Sequence, residues 1–549
     1  MNSSMAAPWY DASVTQGTRE RSIWAWGWRD RFPDDAARAG MAQLVRGMVL
    51  PGSAPAARPL PPDEPEVPPP ALPIPDELAA FATQAPRERA ARTRGRAFPD
   101  LVAGFAGDYA GAPDLVARPR DADEVVRALA VCAARGWACV PFGGGTSVVG
   151  GVDAPLARGS ERPGVVSLDL GALAGVHEID ATSRLARIGA GTFGPALEDA
   201  LHPHGLTLRH YPQSFEFSTL GGWLATRAGG HYATGPTRID ELTHAVTLVT
   251  PRGALATHRH PGSGAGPEPA RLVLGSEGAL GIITEAWMRV VPRPRWRASA
   301  SIAFADFTAG VAAARALAQS GLYPSNARLL DANEARLHRV RFDGTSVLLV
   351  GFESADHPLG PWLARAVELA RDHGGQVVSG PTETDQAGKT GEAGAWRQAF
   401  FDAPYLQSAL LSLGIMSDTF ETACSWTQFP ALHATVTAAV ERALAETCGG
   451  GVVSCRFTHV YPDGPAPYYT FIGALRAGGE LAQWRAIKAA ASDALAAAGG
   501  TITHHHAVGR THRPWYDRER PELFGEALLA VKRALDPHGI CNPGVLVDA

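Results

Sequence analysis

Residues 141–151 read Pro141-Phe142-Gly143-Gly144-Gly145-Thr146-Ser147-Val148-Val149-Gly150-Gly151, a run that few folds can host. Glycine removes the Cβ that would hold an anion off the backbone, permits φ > 0, and lets successive N–H groups converge as a nest. Upstream, Asp121 to Gly136 predicts a helix with Asp121 as N-cap and Glu124 as capping-box partner. Its apolar stripe is Val125, Val126, Leu129, Cys132 and Ala133. Trp137-Ala138-Cys139-Val140 then reads as a short buried strand. Helix, strand and glycine run in succession bring a backbone close to a pyrophosphate. No Gly-Lys-Ser/Thr closes the run, so the lysine and magnesium handles of an ATPase phosphate loop are missing. On this stretch alone, a glycine-rich turn without a ligand is the plainer alternative.

The rest of the chain narrows the choice. At 549 residues there is material for two or three domains and a full core. With 45% hydrophobic and 19% charged residues and a formal net charge of −5, the chain reads as globular and soluble. No basic run interleaves with aromatics, which argues against a nucleic-acid partner. The six cysteines show no Cys-x-x-Cys spacing and read as reduced core residues of a cytoplasmic protein. No stretch predicts a transmembrane segment, and Met1-Asn2-Ser3-Ser4 carries no basic region ahead of an apolar one.

Residues 1–89 combine a tryptophan-rich arm, Ser22-Ile23-Trp24-Ala25-Trp26-Gly27-Trp28, with a proline-rich linker over 52–76. The tryptophans are expected to pack across the main body rather than stack on a ligand. Arg92, Arg94 and Arg96 are expected to form a solvated basic face. Strands are expected over 164–170 and 183–188, the second running into Gly189-Ala190-Gly191-Thr192-Phe193-Gly194. That string fits G-x-G-x-x-G, but its neighbours lack the rhythm of a parallel βαβ unit, so a packed strand-to-helix turn is preferred to a nucleotide site. Gly144→Val is therefore expected to abolish cofactor binding by filling the space of an anion, and the same change at Gly191 to be milder.

Two further segments share the character of the glycine loop. Tyr211-Pro212-Gln213-Ser214-Phe215-Glu216-Phe217-Ser218 continues through Thr219-Leu220-Gly221-Gly222-Trp223-Leu224 to Ala225-Thr226-Arg227-Ala228. Gly275-Ser276-Glu277-Gly278-Ala279-Leu280-Gly281-Ile282-Ile283-Thr284 ends in a strand. Hydroxyls, glycines and small residues in three places suit one large cofactor touched at several points.

These three segments resemble the vanillyl-alcohol-oxidase type of FAD-binding protein, and more narrowly its alkylglycerone-phosphate synthase branch. The resemblance extends to the tryptophan-rich arm, to Ser325-Asn326-Ala327-Arg328-Leu329-Leu330-Asp331 and to Thr503-His504-His505-His506. It implies an α+β fold: a two-subdomain FAD-binding domain over 90–292 and a cap domain over 293–500 with an antiparallel sheet flanked by helices. A C-terminal segment, 501–549, then returns to the FAD domain with the histidine triplet. It implies that residues 141–147 hold the FAD pyrophosphate, and that 212–218, 225–228 and 277–283 touch the rest of the cofactor. Relatives attach flavin covalently through a histidine or cysteine in the first loop; here there is neither, so non-covalent FAD is expected. A homodimer and a peripheral membrane contact are further implications.

By the same resemblance Tyr468 is the general acid/base, and Arg328 and His504, His505 and His506 serve activity. Gln407 and Thr419 are placed at the substrate. At Gln407 the family typically has an arginine for a phosphate-bearing substrate, and a neutral amide is a poor replacement for that charged fork. Tyr468 and Tyr469 could also be plain aromatic sheet residues, and on a strand at most two of three consecutive histidines would face one ligand. That spacing is poor for a structural zinc, and no metal is expected. The family's activity exchanges the acyl chain of an acylated glycerone phosphate for a fatty alcohol through a flavin adduct. The alternative is an FAD-dependent oxidoreductase acting on a 2-hydroxy acid or alcohol; a third is a flavin-bearing interaction protein without turnover.

Overall fold

The computed structural model describes residues 19–48, 58–159, 162–232, 234–384 and 391–548. Residues 1–4 and the first part of the proline-rich linker lie outside them. The helix Ala122–Arg135 begins where its sequence says: the Asp121 carboxylate accepts from the Glu124 N–H at 2.8 Å, and Gly136 ends it in the left-handed conformation. The capping box is only half made, because Glu124 accepts from the Arg120 backbone N–H at 2.7 Å. The buried face also departs from expectation. Val126 is 46% exposed and Ala133 half-buried, while Val125, Ala128, Leu129 and Cys132 pack inward.

Three larger sheets follow one another, besides a two-stranded pair of Leu206–Thr207 with Val291–Pro292. In the first, Leu115–Ala117, Val165–Asp169 and Ala138–Phe142 run parallel, with Ala82–Thr83 added antiparallel at the edge. The parallel strand Ala138–Phe142 leads directly into the glycine run. The second sheet is antiparallel, in the order Val176–Asp180, Leu185–Gly189, Ile282–Arg289, Thr243–Thr250, Gly253–Ala256. The strand before the G-x-G-x-x-G string thus lies in an antiparallel sheet, not in a βαβ unit.

The third sheet has seven strands, all antiparallel. Gln376–Glu383, Trp296–Phe304, Ser346–Ser354 and Asn326–Leu330 come first, then Gly451–Val460, Pro465–Ala474 and Ile415–Glu421. Helices pack on it, among them Phe307–Ala318, Gly391–Ser412 and Phe429–Cys448. The fold is α+β, a part carrying the first two sheets followed by a part built on this antiparallel sheet. All six cysteines are free thiols, and among the described residues no helix is long and apolar enough to cross a membrane.

The three arginines 92, 94 and 96 do not form a solvated face. Arg92 pairs with Asp169 at 2.8 Å, Arg94 reaches the Asp108 carbonyl at 2.6 Å, and Arg96 is buried. From there Arg96 donates to the carbonyls of Ser22 and Ala25 at 3.0 and 3.1 Å, gripping the tryptophan arm. A buried guanidinium needs acceptors, and the turn of the arm supplies them.

Candidate active site

Gly143 to Ser147 form one wall of a cavity whose opposite wall is the seven-stranded sheet. Gly143 and Gly144 are required by close packing on one side of the loop. A Cβ at Gly144 would stand 1.7 Å from the Phe217 carbonyl oxygen, and one at Gly143 would stand 2.4 Å from the Thr219 hydroxyl. Gly145 has φ +67°. The loop is thus pressed onto residues 217–219 and leaves its other side to the cavity, a seat with no side chain in the way. Pro141 and Phe142 lie behind it rather than on the wall. The reason given above for Gly144→Val therefore changes: the clash is with the backbone at Phe217, not with a ligand.

The G-x-G-x-x-G string is packing throughout. Cβ atoms at Gly189, Gly191 and Gly194 would fall 2.3, 2.0 and 2.6 Å from the Leu173 carbonyl, the Leu170 carbonyl and the Phe215 ring. None of the three lines the cavity. A side chain at Gly191 is as forbidden as one at Gly144, so both changes strain the fold and the expected difference between them concerns cofactor binding alone.

The second segment lines the cavity with Pro212, Gln213, Ser214, Ser218, Thr226 and Ala228. Thr219, Gly222 and Trp223 also lie on the wall, while other members serve it from behind. Phe215 is core, Phe217 packs against Trp28, Glu216 accepts from the Trp28 indole N–H, and Arg227 pairs with Asp240 at 3.0 Å. Ala225 packs against the same core as Phe215. The third segment is absent from the wall. Glu277, at φ +51°, accepts from the N–H groups of Val508 and Gly509 at 2.8 and 2.7 Å and ties the C-terminal segment down. Gly278 backs onto the Pro141 ring, Gly281 approaches the Val249 carbonyl, and Ala279, Leu280, Ile282 and Ile283 are buried.

Opposite the glycine loop, the seven-stranded sheet presents Arg328, Arg456 and Tyr468. Arg328 is 1% exposed; it donates to the His231 carbonyl, and its Nε and Nη1 have no partner. Burial and the neighbouring Arg456 bring its guanidinium down to about 9. A buried cation short of acceptors is poised for negative charge. Arg456 pairs with Glu334 and lies 3.8 Å from the Tyr468 ring centroid. The Tyr468 hydroxyl donates to Thr419 Oγ1 at 3.0 Å. Burial pushes this phenol up, while Arg456 and the Thr419 hydroxyl pull it the other way. The charge that favours the phenolate is therefore that of Arg456. Tyr469 points to the other face, stacked on Phe420 with centroids 4.8 Å apart.

Thr503 to His506 are not a strand. They wrap around the buried carboxylate of Glu421, which accepts from the N–H groups of His504, His505 and His506 at 2.7, 3.0 and 2.9 Å and from the Thr503 hydroxyl at 2.6 Å. Burial alone would raise this carboxyl, but His505 beside it holds it well below its ordinary value. His505 and His506 face the cavity; burial pushes the His506 ring down to about 3, so it is neutral. His504 turns away to the Tyr461 hydroxyl at 2.8 Å. Two of three face the site, though a wrapped loop rather than strand alternation does the sorting.

Gln407 and Thr419 both line the cavity. Gln407 is fully committed: its oxygen accepts from the Trp26 indole at 3.1 Å, and its nitrogen donates to the Ser417 carbonyl at 3.0 Å. Sequence reasoning missed Trp26, Gly229, Gly230, Asp418, Arg456 and His459, all on the wall. For Arg456 a signal existed in the alternation of Cys455-Arg456-Phe457-Thr458; His459 reaches the site through a register shift after Phe457 that alternation does not foretell, and for Trp26 no signal existed. His459, His504 and His505 bring ring nitrogens within 4.8 Å of one another, a spacing a metal could draw together. Five of their six ring nitrogens have partners, however: Tyr461, Thr458, the Gly230 carbonyl and, between His504 and His505, each other. The cluster is a hydrogen-bonded network.

Comparison with known proteins agrees with this geometry. The family "FAD binding domain" matches residues 113–258, and "FAD linked oxidases, C-terminal domain" matches residues 293–546. An alkyldihydroxyacetonephosphate synthase of Dictyostelium discoideum is 30% identical over 485 residues, covering 84% of this chain and 77% of that protein. One from Trypanosoma brucei brucei is 28% identical over 463 residues, covering 80% and 73%. A solved alkyldihydroxyacetonephosphate synthase superposes with a TM-score of 0.78 at 25% identity, covering 95% of this chain and 98% of that one.

Proposed function

The chain belongs to the alkyldihydroxyacetonephosphate synthase family of FAD-dependent enzymes, and from that premise we propose that it exchanges the acyl chain of an acylated glycerone (dihydroxyacetone) phosphate for a fatty alcohol. An ether lipid forms and a fatty acid leaves, with no net oxidation. The observation that carries the reading is one cavity onto which the glycine loop, Arg328, Tyr468, His505 and His506 all open. The division near Pro292 between a cofactor part and a cap, a homodimer and a peripheral membrane contact belong to the same proposal.

FAD, when bound, supplies an isoalloxazine ring that can take up and return an electron pair. The residues around it do the rest. Backbone N–H groups of Gly143 to Ser147 hold the pyrophosphate, and the flavin is bound without a covalent link, since residues 141–151 contain no histidine or cysteine. Arg328 offsets negative charge on cofactor or substrate. Tyr468 carries the proton: burial keeps its phenol protonated at rest, and Arg456 against its ring stabilises the anion when the substrate's proton is to be taken. His505 and His506, held through their backbone N–H groups by Glu421, present their rings to the reacting oxygens, that of His506 being neutral. Feeding labelled fatty alcohol with the acylated substrate tests the reading: label should enter an alkali-stable ether, and label that stays in the alcohol overturns it.

Gln407 favours a second reading. With its amide spent on Trp26 and Ser417, no charged fork stands there for a phosphate. An FAD-dependent oxidoreductase acting on a 2-hydroxy acid or alcohol would need none. Lasting bleaching of the flavin by such a substrate would support it.

A further inference from the structure

The N-terminal arm reaches the glycine loop through one charged side chain. Residues 20–29 fold back on themselves, with the Ser22 N–H donating to the Gly27 carbonyl at 3.0 Å and the Arg29 N–H to the Glu20 carbonyl at 2.9 Å. Gly27 takes φ +78°, and a Cβ there would strike the Tyr405 ring at 2.2 Å, so the turn is fitted to the helix Gly391–Ser412. Arg96 grips the turn from below through the Ser22 and Ala25 carbonyls. On the helix side, the Trp26 N–H donates to the Ser408 hydroxyl at 3.0 Å. Held on both sides, the arm extends Arg21 over the Phe217 ring, 5.2 Å from its centroid, and onto the Gly144 carbonyl oxygen, which its Nη2 reaches at 2.8 Å.

We propose that Arg21 is a positioning residue for the cofactor: it fixes the Gly144 peptide so that the next amide faces the cavity, and it places a half-buried positive charge behind the loop where the FAD pyrophosphate sits. The peptide plane supplies the first half of the argument. In a trans peptide the C=O and the following N–H point opposite ways, so an oxygen held by Arg21 sends the Gly145 N–H to the other side. A guanidinium on the oxygen also polarises the peptide and strengthens its donor. Electrostatics supplies the second half. Burial, and after it the neighbouring Arg96 and Arg92, bring the Arg21 guanidinium down to about 9, so it carries its charge at neutral pH. That charge behind the loop suits a doubly charged pyrophosphate.

The proposal rests on the glycine loop being the pyrophosphate seat, and its test separates the two claims. Arg21→Met keeps the length and the apolar stem over Phe217 but removes charge and donors; Arg21→Lys keeps the charge. Dissociation constants would be measured on the full chain for FAD, for ADP as a probe of the pyrophosphate half, and for riboflavin, which has no phosphate. Arg21→Met should weaken FAD and ADP by roughly 10- to 100-fold, the share of a charge-assisted hydrogen bond, and leave riboflavin unchanged, with Arg21→Lys in between. Unchanged FAD affinity, or equal loss for FAD and riboflavin, overturns the proposal. An unaltered chain that binds FAD but not ADP overturns the pyrophosphate seat itself.

Discussion

Trp26 and Gln407 stand 381 positions apart, yet the indole N–H of one donates to the side-chain oxygen of the other at 3.1 Å on the wall of the cavity. A double-mutant cycle with Trp26→Phe and Gln407→Leu reads the strength of that link. Urea unfolding of the FAD-loaded protein should show a coupling of about 0.5–1.5 kcal/mol, the net share of one hydrogen bond. Additive effects would mean that the arm only rests on the cap.

Tyr468→Phe keeps the ring over which Arg456 sits and loses the proton carrier. Turnover should fall by roughly 10²- to 10⁴-fold, and substrate affinity much less, because the hydroxyl acts chiefly in the transition state. Tyr469→Phe should spare turnover but cost about 1 kcal/mol of stability, since its hydroxyl lies 3.2 Å from His433 Nδ1. Full activity in Tyr468→Phe would move the proton-carrying role to His505 or His506.

Gly144→Ala and Gly191→Ala both force a Cβ against a carbonyl oxygen, so both should lower the unfolding midpoint. They should part in their cofactor: only the first displaces the cavity wall. FAD affinity compared at a temperature where both variants remain folded should fall in Gly144→Ala and hold in Gly191→Ala. Loss in both would mean that the second glycine string contributes to the cofactor seat.

The hold of Glu421 on the triplet has a defined pH sign. Its folded value lies below the ordinary 4.5, so the stability it contributes is complete above 4.5 and is lost only as pH falls through the depressed folded value. Hydrogen-exchange protection of the His504, His505 and His506 amides, corrected for intrinsic rate, should therefore persist at pH 4. Glu421→Gln, which offers a single acceptor oxygen, should lose that protection at every pH. Equal protection in both forms would contradict the wrapped-loop geometry.

Local chemistry was legible in the sequence where it is decided locally. Asp121 capped the helix it was read to cap, the glycines of 143–145 lined the cavity, and Tyr468 alternated with Tyr469 as a strand requires. What escaped was set by partners far along the chain. Arg96 reads as solvated until the arm brings it two carbonyls. The histidine triplet reads as a strand until Glu421 gathers its amides. Residues 277–283 do not line the cavity wall, and glycine and hydroxyl serve a tight turn and a ligand equally well, so their contact with the cofactor belongs to the proposed function. Trp26 reads as packing, which it is, but the packing surface is the wall of the site.

The most direct test of the central claim is the flavin spectrum of the FAD-loaded protein, followed without oxygen as acylated glycerone phosphate and fatty alcohol are consumed. Exchange without net oxidation predicts that the oxidised absorbance is fully restored once substrate is exhausted, with ether lipid and fatty acid formed one for one. An absorbance that stays bleached, with an oxidised product in place of the ether, would contradict it.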